Sequence, residues 1–129
     1  MRTINYIVII ISSFLMMSCY EQDNYSYPEV VSFNKDGGEI KVRGENSLCS
    51  FAFVTTDTDD FLGSSRNDYT EGVDTIWGTY DWLTVKTKTC SYEIVLSAKP
   101  LEGDKGRALV VGLNFGDKWG EIKVKQFPF

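Results

Sequence analysis

The sequence predicts an all-β protein, an antiparallel β-sandwich of about seven short strands. Short apolar runs with period-two alternation recur along the chain, and segments rich in glycine, aspartate and asparagine separate them. No stretch after residue 28 shows the 3.6-residue period of an amphipathic helix. Aromatic residues make up 14% of the chain, which together with many β-branched residues suffices for the core of one domain.

The first half of the domain contains three predicted strands. Residues 30–33 form a short apolar run that ends in turn residues 34–38. Residues 39–43 alternate between apolar and charged side chains, and the third strand covers residues 51–55. This half therefore supplies three strands joined by two connections.

Residues 57–81 are harder to assign. The segment is acidic, carries glycines and contains four aromatic residues. A structureless connection of that length is uncommon in a compact domain and is often functional. A long loop, a short helix and an extra hairpin around residues 75–77 are all compatible with this composition.

The second half resumes the strand pattern. Residues 82–86 and 92–98 are strand-like, and residues 99–106 form a turn with one proline and two glycines. Residues 107–115 are almost continuously apolar, and a tight turn leads from them into residues 119–127. These four strands bring the predicted number to about seven.

The N-terminus has the layout of a secretory signal. Arg2 precedes an apolar run over residues 4–17, which is shorter than the roughly 20 residues of a comfortable membrane span. Cleavage after Ser18 would make Cys19 the first residue. We therefore expect a signal peptide over residues 1–18, a flexible tether over residues 19–28 and one domain over residues 29–129.

Residues 15–19 resemble the lipobox of bacterial lipoproteins, with a small residue directly before Cys19. The resemblance implies acylation of Cys19 and anchoring in outer-membrane lipid, since two or more acyl chains hold a protein stably. An ordinary secretory signal with an incidental cysteine is the alternative. The acids Glu21 and Asp23 resemble the surface-export signal of Bacteroidetes lipoproteins, and a tether facing the periplasm is the alternative to surface exposure.

Composition excludes several function classes. The chain has 13 basic and 18 acidic residues, a formal net charge of −5, and no histidine. An acidic chain without a basic stripe is a poor candidate for nucleic acid. The lack of histidine removes the common nucleophile–histidine pairs and most zinc sites, so we expect no cofactor and no metal. Cys49 and Cys90 form a disulfide in an oxidising compartment or, alternatively, two buried free thiols.

The order of the strands resembles the BACON domain, an immunoglobulin-like module of Bacteroidetes surface proteins. Phe33 with residues 37–42 is similar to its opening hairpin, and residues 82–85 to its central strand. The later matches are residues 92–98, 107–111 and 122–126. The resemblance implies an immunoglobulin-like sandwich without catalytic activity, associated with glycan or mucin or acting as a spacer. Two features depart from it: no tryptophan follows Asn46, and residues 57–81 are longer than expected.

Loop aromatics are the candidate binding residues. Sugar rings present an apolar face that stacks on exposed aromatic rings, and Tyr69, Trp77 and Tyr80 lie together in the long segment. A lid packed over one end of the sandwich is the alternative. The acids of residues 57–60 lack the spacing of a calcium loop, and no carboxylate pair suggests a glycosidase.

The sequence thus predicts a non-enzymatic, lipid-anchored protein of the outer membrane. One hypothesis is recognition of glycan or mucin at the cell surface. The other is a structural or spacer role, or docking onto an envelope protein partner, without a glycan ligand.

Overall fold

The computed structural model describes residues 22–70 and 73–129. The predicted signal peptide and Cys19 lie outside the described residues. Ten strands form in the described part of the chain: β1 (Val30–Phe33), β2 (Gly38–Arg43), β3 (Ser50–Val54), β4 (Phe61–Ser64), β5 (Arg66–Thr70), β6 (Val73–Tyr80), β7 (Leu83–Lys88), β8 (Glu93–Ala98), β9 (Arg107–Asn114) and β10 (Trp119–Gln126). None of the described residues belongs to a helix with the length and apolar character needed to cross a membrane.

The strands form two five-stranded sheets. Sheet A has the order β1-β10-β9-β3-β4, and sheet B has the order β2-β8-β7-β6-β5. Neighbouring strands are antiparallel except β1 and β10, which are parallel. Placing β10-β9-β3 in one sheet and β2-β8-β7 in the other is the strand arrangement of the immunoglobulin-like sandwich. The predicted fold class is confirmed.

The core lies between the two sheets and follows the period-two alternation of the strands. In β8 every second side chain is buried, and β10 has the same pattern. Trp82, which directly precedes β7, is also in the core and is 4% exposed. The large side chains that are fully buried come from both sheets: Phe51, Phe53, Leu83, Val85, Ile94, Leu96, Val111, Leu113, Ile122, Val124 and Gln126.

The segment between β3 and β7 contributes three further strands; of the alternatives that the sequence left open, the structure has the extra hairpin, the antiparallel pair β5 and β6, and adds β4. The chain leaves the edge of sheet A at β4 and enters the edge of sheet B at β5. Ser65 at this crossing is hydrogen-bonded to Phe51 through both its backbone nitrogen (2.8 Å) and its Oγ (3.0 Å). Gly78 in β6 lets the strand approach Phe51, since a Cβ there would lie 3.2 Å from that ring. The sandwich therefore has ten strands.

A buried polar cluster ties the connections of both sheets together at one end. Gln126 is 1% exposed, and its Nε2 donates to the carbonyls of Asn34 (3.0 Å) and Lys99 (2.9 Å). Its Oε1 accepts a hydrogen bond from Nε of Arg107 at 2.8 Å. The Arg107 guanidinium lies 4.7 Å from the ring centroid of Trp82. Because every polar group of Gln126 has a partner, its burial is compatible with stability.

The predicted flexible tether is wrong for residues 22–28, which pack against the domain. Asn24 exchanges two hydrogen bonds with the backbone of Glu121, at 2.7 and 2.9 Å. Tyr27 is 3% exposed, and its hydroxyl donates to the carbonyl of Asn46 at 2.7 Å. Burial raises the pKa of Tyr27 to about 12. The polar composition of this segment hid two aromatic anchors, Tyr25 and Tyr27, whose rings both contact Phe115.

Candidate functional site

The three predicted aromatic residues do not form one platform. Trp77 faces outward from sheet B, opposite Arg66 in the strand register. Tyr80 lies three residues further along β6 and therefore points to the core side, where its ring centroid is 6.2 Å from that of Phe53. Tyr69 in β5 is opposite Asp74 in β6, so it lies on the same side of the sheet as Tyr80. It is 73% exposed there. Only Trp77 belongs to the outer face of sheet B.

The outer face of sheet B carries a shallow depression of about 620 Å³. Side chains from β2, β6, β7 and β8 line it, together with the turn between β7 and β8. Its volume lies within the range of small-ligand sites. Trp77 is beside the depression, directly opposite Lys86 in the register of β6 and β7.

Four basic side chains line this depression: Lys41, Arg43, Lys86 and Lys88. They come in two pairs because residues two apart on a strand share a face. The neighbouring carboxylates of the lining are Glu39 and Glu93. A local excess of cations therefore sits on a chain whose net charge is −5.

These cations have no partners within residues 22–70 and 73–129. None of the four forms an ion pair or a side-chain hydrogen bond there. Glu93 lies directly across from Arg43 in the register of β2 and β8, yet the two side chains are not paired. The basic groups are thus available to a ligand, and in the lining of the depression they outnumber the carboxylates.

A fifth cation extends the face toward the sheet edge. The guanidinium carbon of Arg66 in β5 lies 5.0 Å from the ring centroid of Trp77. Among the described residues this guanidinium donates no hydrogen bond. Stacking on an aromatic ring fixes the plane of a guanidinium while leaving its donors free. Trp77 therefore orients Arg66 in addition to exposing a ring edge.

The predicted cysteine pair is not a disulfide. Cys49 and Cys90 are both free, and both are exposed rather than buried. Cys49 directly precedes β3 of sheet A, whereas Cys90 occupies the turn between β7 and β8 of sheet B, with a φ of 64°. The core between the two sheets supplies the stability that a covalent bridge would otherwise add.

The acidic run before β4 is a solvated loop. Asp57, Asp59 and Asp60 are exposed, and Asp60 accepts a hydrogen bond from Thr58 at 2.7 Å. In the part of the chain that the structure describes, no group of three or more cysteine, aspartate or glutamate side chains is arranged to hold a metal ion.

A second, flatter depression of about 470 Å³ lies on the outer face of sheet A. Small side chains form its floor, among them Ser50, Ala52 and Gly112. Trp119 borders it and is 42% exposed. This face carries no cluster of cations in its lining and differs chemically from the outer face of sheet B.

The basic residues of sheet B escaped the sequence analysis, although a signal for them existed. Alternation over residues 39–43 already placed charged side chains outward. The same alternation continues through β7, where Lys86 and Lys88 point away from the core. That β2 and β7 flank one common strand, β8, is a property of the topology, which the sequence pattern does not reveal.

Comparison with known proteins supports the fold. No family model matches the chain, and no curated protein matches it. The structure is similar to the NMR structure of a protein from Bacteroides thetaiotaomicron, with a TM-score of 0.51 and 15% sequence identity. The similarity covers 85% of this chain and 86% of the other. At this identity the similarity concerns the fold.

Proposed function

We propose that the protein is a non-catalytic, lipid-anchored module of the bacterial outer membrane that binds glycan at the cell surface. The observation that carries this proposal is the depression on the outer face of sheet B, with Trp77 at its side and unpaired polar groups in its lining. An open sheet face accepts an extended chain, and hydroxyl and ammonium groups hydrogen-bond to sugar hydroxyls.

The anchoring part of the proposal is supported by the lipobox resemblance of residues 15–19. Replacing Cys19 with serine should move the protein from the membrane fraction to the soluble fraction of the envelope, because acyl chains supply the attachment. Mass spectrometry of the native protein should show loss of residues 1–18 and a mass increment from acylation. An unprocessed leader would overturn the anchoring proposal.

A glycan array probed with purified full-length protein tests the binding part. We expect hits that disappear in Trp77→Ala, because this change removes the ring and the support of Arg66. Trp119→Ala is the matched control, since Trp119 lies on the outer face of sheet A. A folded protein without any hit, or equal loss in both variants, would overturn the proposal.

The outer face of sheet A favours a second candidate function, docking onto an envelope protein without a glycan ligand. Small side chains give this face a flat surface beside the partly exposed Trp119, and exposed aromatic rings are common anchors of protein interfaces. Crosslinking in intact cells should then recover a stoichiometric partner that Trp119→Ala loses and Trp77→Ala keeps. The two candidate functions therefore differ in which tryptophan substitution abolishes binding.

A further inference from the structure

We propose that the ligand of the outer face of sheet B is an acidic polysaccharide, one that carries carboxylate or sulfate groups at regular intervals. This inference rests on the proposed function and specifies its ligand class. It follows from a row of residues that crosses the whole sheet at right angles to the strands.

The row is defined by the strand register. Lys41 pairs with Val95, and Val95 pairs with Lys86. Lys86 pairs with Trp77, and Trp77 pairs with Arg66. Cations therefore alternate with apolar side chains from one edge of sheet B to the other.

The spacing of this row suits a polymer. Neighbouring cations in it are two strands apart, a separation of about 10 Å. That distance is close to the length of one disaccharide unit, and a single small anion cannot bridge two such cations. A chain with one acidic group per disaccharide would place successive charges on Lys41, Lys86 and Arg66.

The apolar residues of the row fit the remaining surface of such a chain. Val95 and Trp77 lie between the cations and offer contacts to the C–H faces of the sugar rings. The Arg66 guanidinium covers one side of the Trp77 ring at 5.0 Å, so a neutral sugar would have to displace it to stack there. A carboxylate or sulfate instead gains a planar, pre-oriented donor pair.

Charge complementarity decides between ligand classes. The lining of the depression contains four cations and two carboxylates, although the protein as a whole is acidic. The net negative charge of such a protein opposes binding of a general polyanion, whereas the cations of this face favour it. Repulsion elsewhere favours a narrow acidic chain over an extended anionic surface such as a phospholipid bilayer.

The test measures the affinity of purified full-length protein for polygalacturonate, chondroitin sulfate and the neutral glucan pullulan. Lys41→Gln combined with Lys86→Gln should weaken binding to an acidic chain by about tenfold or more, since each cation contributes a charge-assisted contact. The matched control, Lys123→Gln combined with Lys125→Gln, removes the same charge from β10 in sheet A. It should leave the affinity within about twofold.

Each remaining outcome overturns the inference in a distinguishable way. Binding to pullulan without preference for the acidic chains would overturn the acidic specificity and leave the proposed glycan function standing. Equal binding to polyglutamate or to anionic phosphatidylglycerol vesicles would show a general response to negative charge. Absence of binding to every polysaccharide, on the array and in solution, would overturn the proposed function as well.

Discussion

The protein contains two arginine–tryptophan stacks with nearly the same geometry and different surroundings. Arg107 lies 4.7 Å from the ring centroid of Trp82, and Arg66 lies 5.0 Å from that of Trp77. The first stack is at the buried polar cluster, where Arg107 also donates to Gln126 and to the backbone carbonyl of Lys99. The second is on the open face of sheet B.

The difference shows that a ring–cation contact does not by itself reveal a role. Arg107 uses its donors on the protein, so its stack holds the fold together. Arg66 keeps its donors free among the described residues, so they are available for the ligand binding proposed above. The occupancy of the hydrogen-bond donors separates a structural pair from a binding pair.

Replacing Gln126, at the centre of the buried polar cluster, should have the largest effect. Gln126→Leu would remove the amide donor to the carbonyls of Asn34 and Lys99 and the side-chain acceptor of Arg107. We expect the free energy of unfolding to fall by about 3 kcal/mol, measured by urea denaturation. Gln22→Leu, at an exposed glutamine, should change it by less than about 0.5 kcal/mol. Equal values for the two variants would contradict the structural role of the cluster.

Removing Arg107, which stacks on Trp82 at the buried polar cluster, should have a somewhat smaller effect. Arg107→Ala loses the hydrogen bonds to Gln126, Lys99 and Pro100 and the contact with Trp82. We expect a loss of about 2 kcal/mol in the free energy of unfolding, because part of the side chain is solvated. Thermal and urea unfolding measure this loss, and Lys105→Ala in the exposed preceding turn is the control. Binding to acidic polysaccharide should be unchanged, and a selective loss of affinity with full stability would refute the assignment.

Removing Arg66, which stacks on Trp77 on the outer face of sheet B, should have the opposite result: little change in stability and a loss of affinity. Arg66→Ala is expected to change the free energy of unfolding by less than about 0.5 kcal/mol, because Arg66 is exposed and its guanidinium stacks on Trp77 without a hydrogen bond to any described residue. Affinity for the acidic polysaccharide should fall by about tenfold. Titration calorimetry measures the affinity, with Asn67→Ala on the other side of β5 as control. A destabilised variant with wild-type affinity would mean that the two stacks have the same role.

The framework of the sandwich was predictable because its strands have one buried and one solvated face. Residues 39–43 and 119–127 alternate in the sequence, and the structure places Val42, Ile122 and Val124 in the core. The strands β4 to β6 were not predictable in this way. They form the edge of the sandwich and its crossing, where Gly63, Ser65 and Gly78 replace the apolar members of the pattern.

The candidate site was predictable only in part. An exposed tryptophan in the segment before β7 was a sound indication, and Trp77 does lie on an open sheet face. The residues beside it come from strands distant in sequence, and only their register places Lys41, Lys86 and Arg66 in one row. Sequence spacing also does not show that Tyr69 and Trp77 lie on opposite sides of the sheet, because this depends on the register between β5 and β6.

Replacing Tyr69, which lies on the opposite side of the β5–β6 pair from Trp77, should have the smallest effect and gives the sharpest test of the site. Tyr69→Ala removes a side chain that is 73% exposed on the side opposite to Trp77, so we expect a change of less than about 0.5 kcal/mol in the free energy of unfolding. Affinity for glycan should remain at the wild-type value, whereas Trp77→Ala should lose it. Parallel losses in both variants would mean that a ligand contacts both sides of the hairpin, which the row across sheet B does not allow.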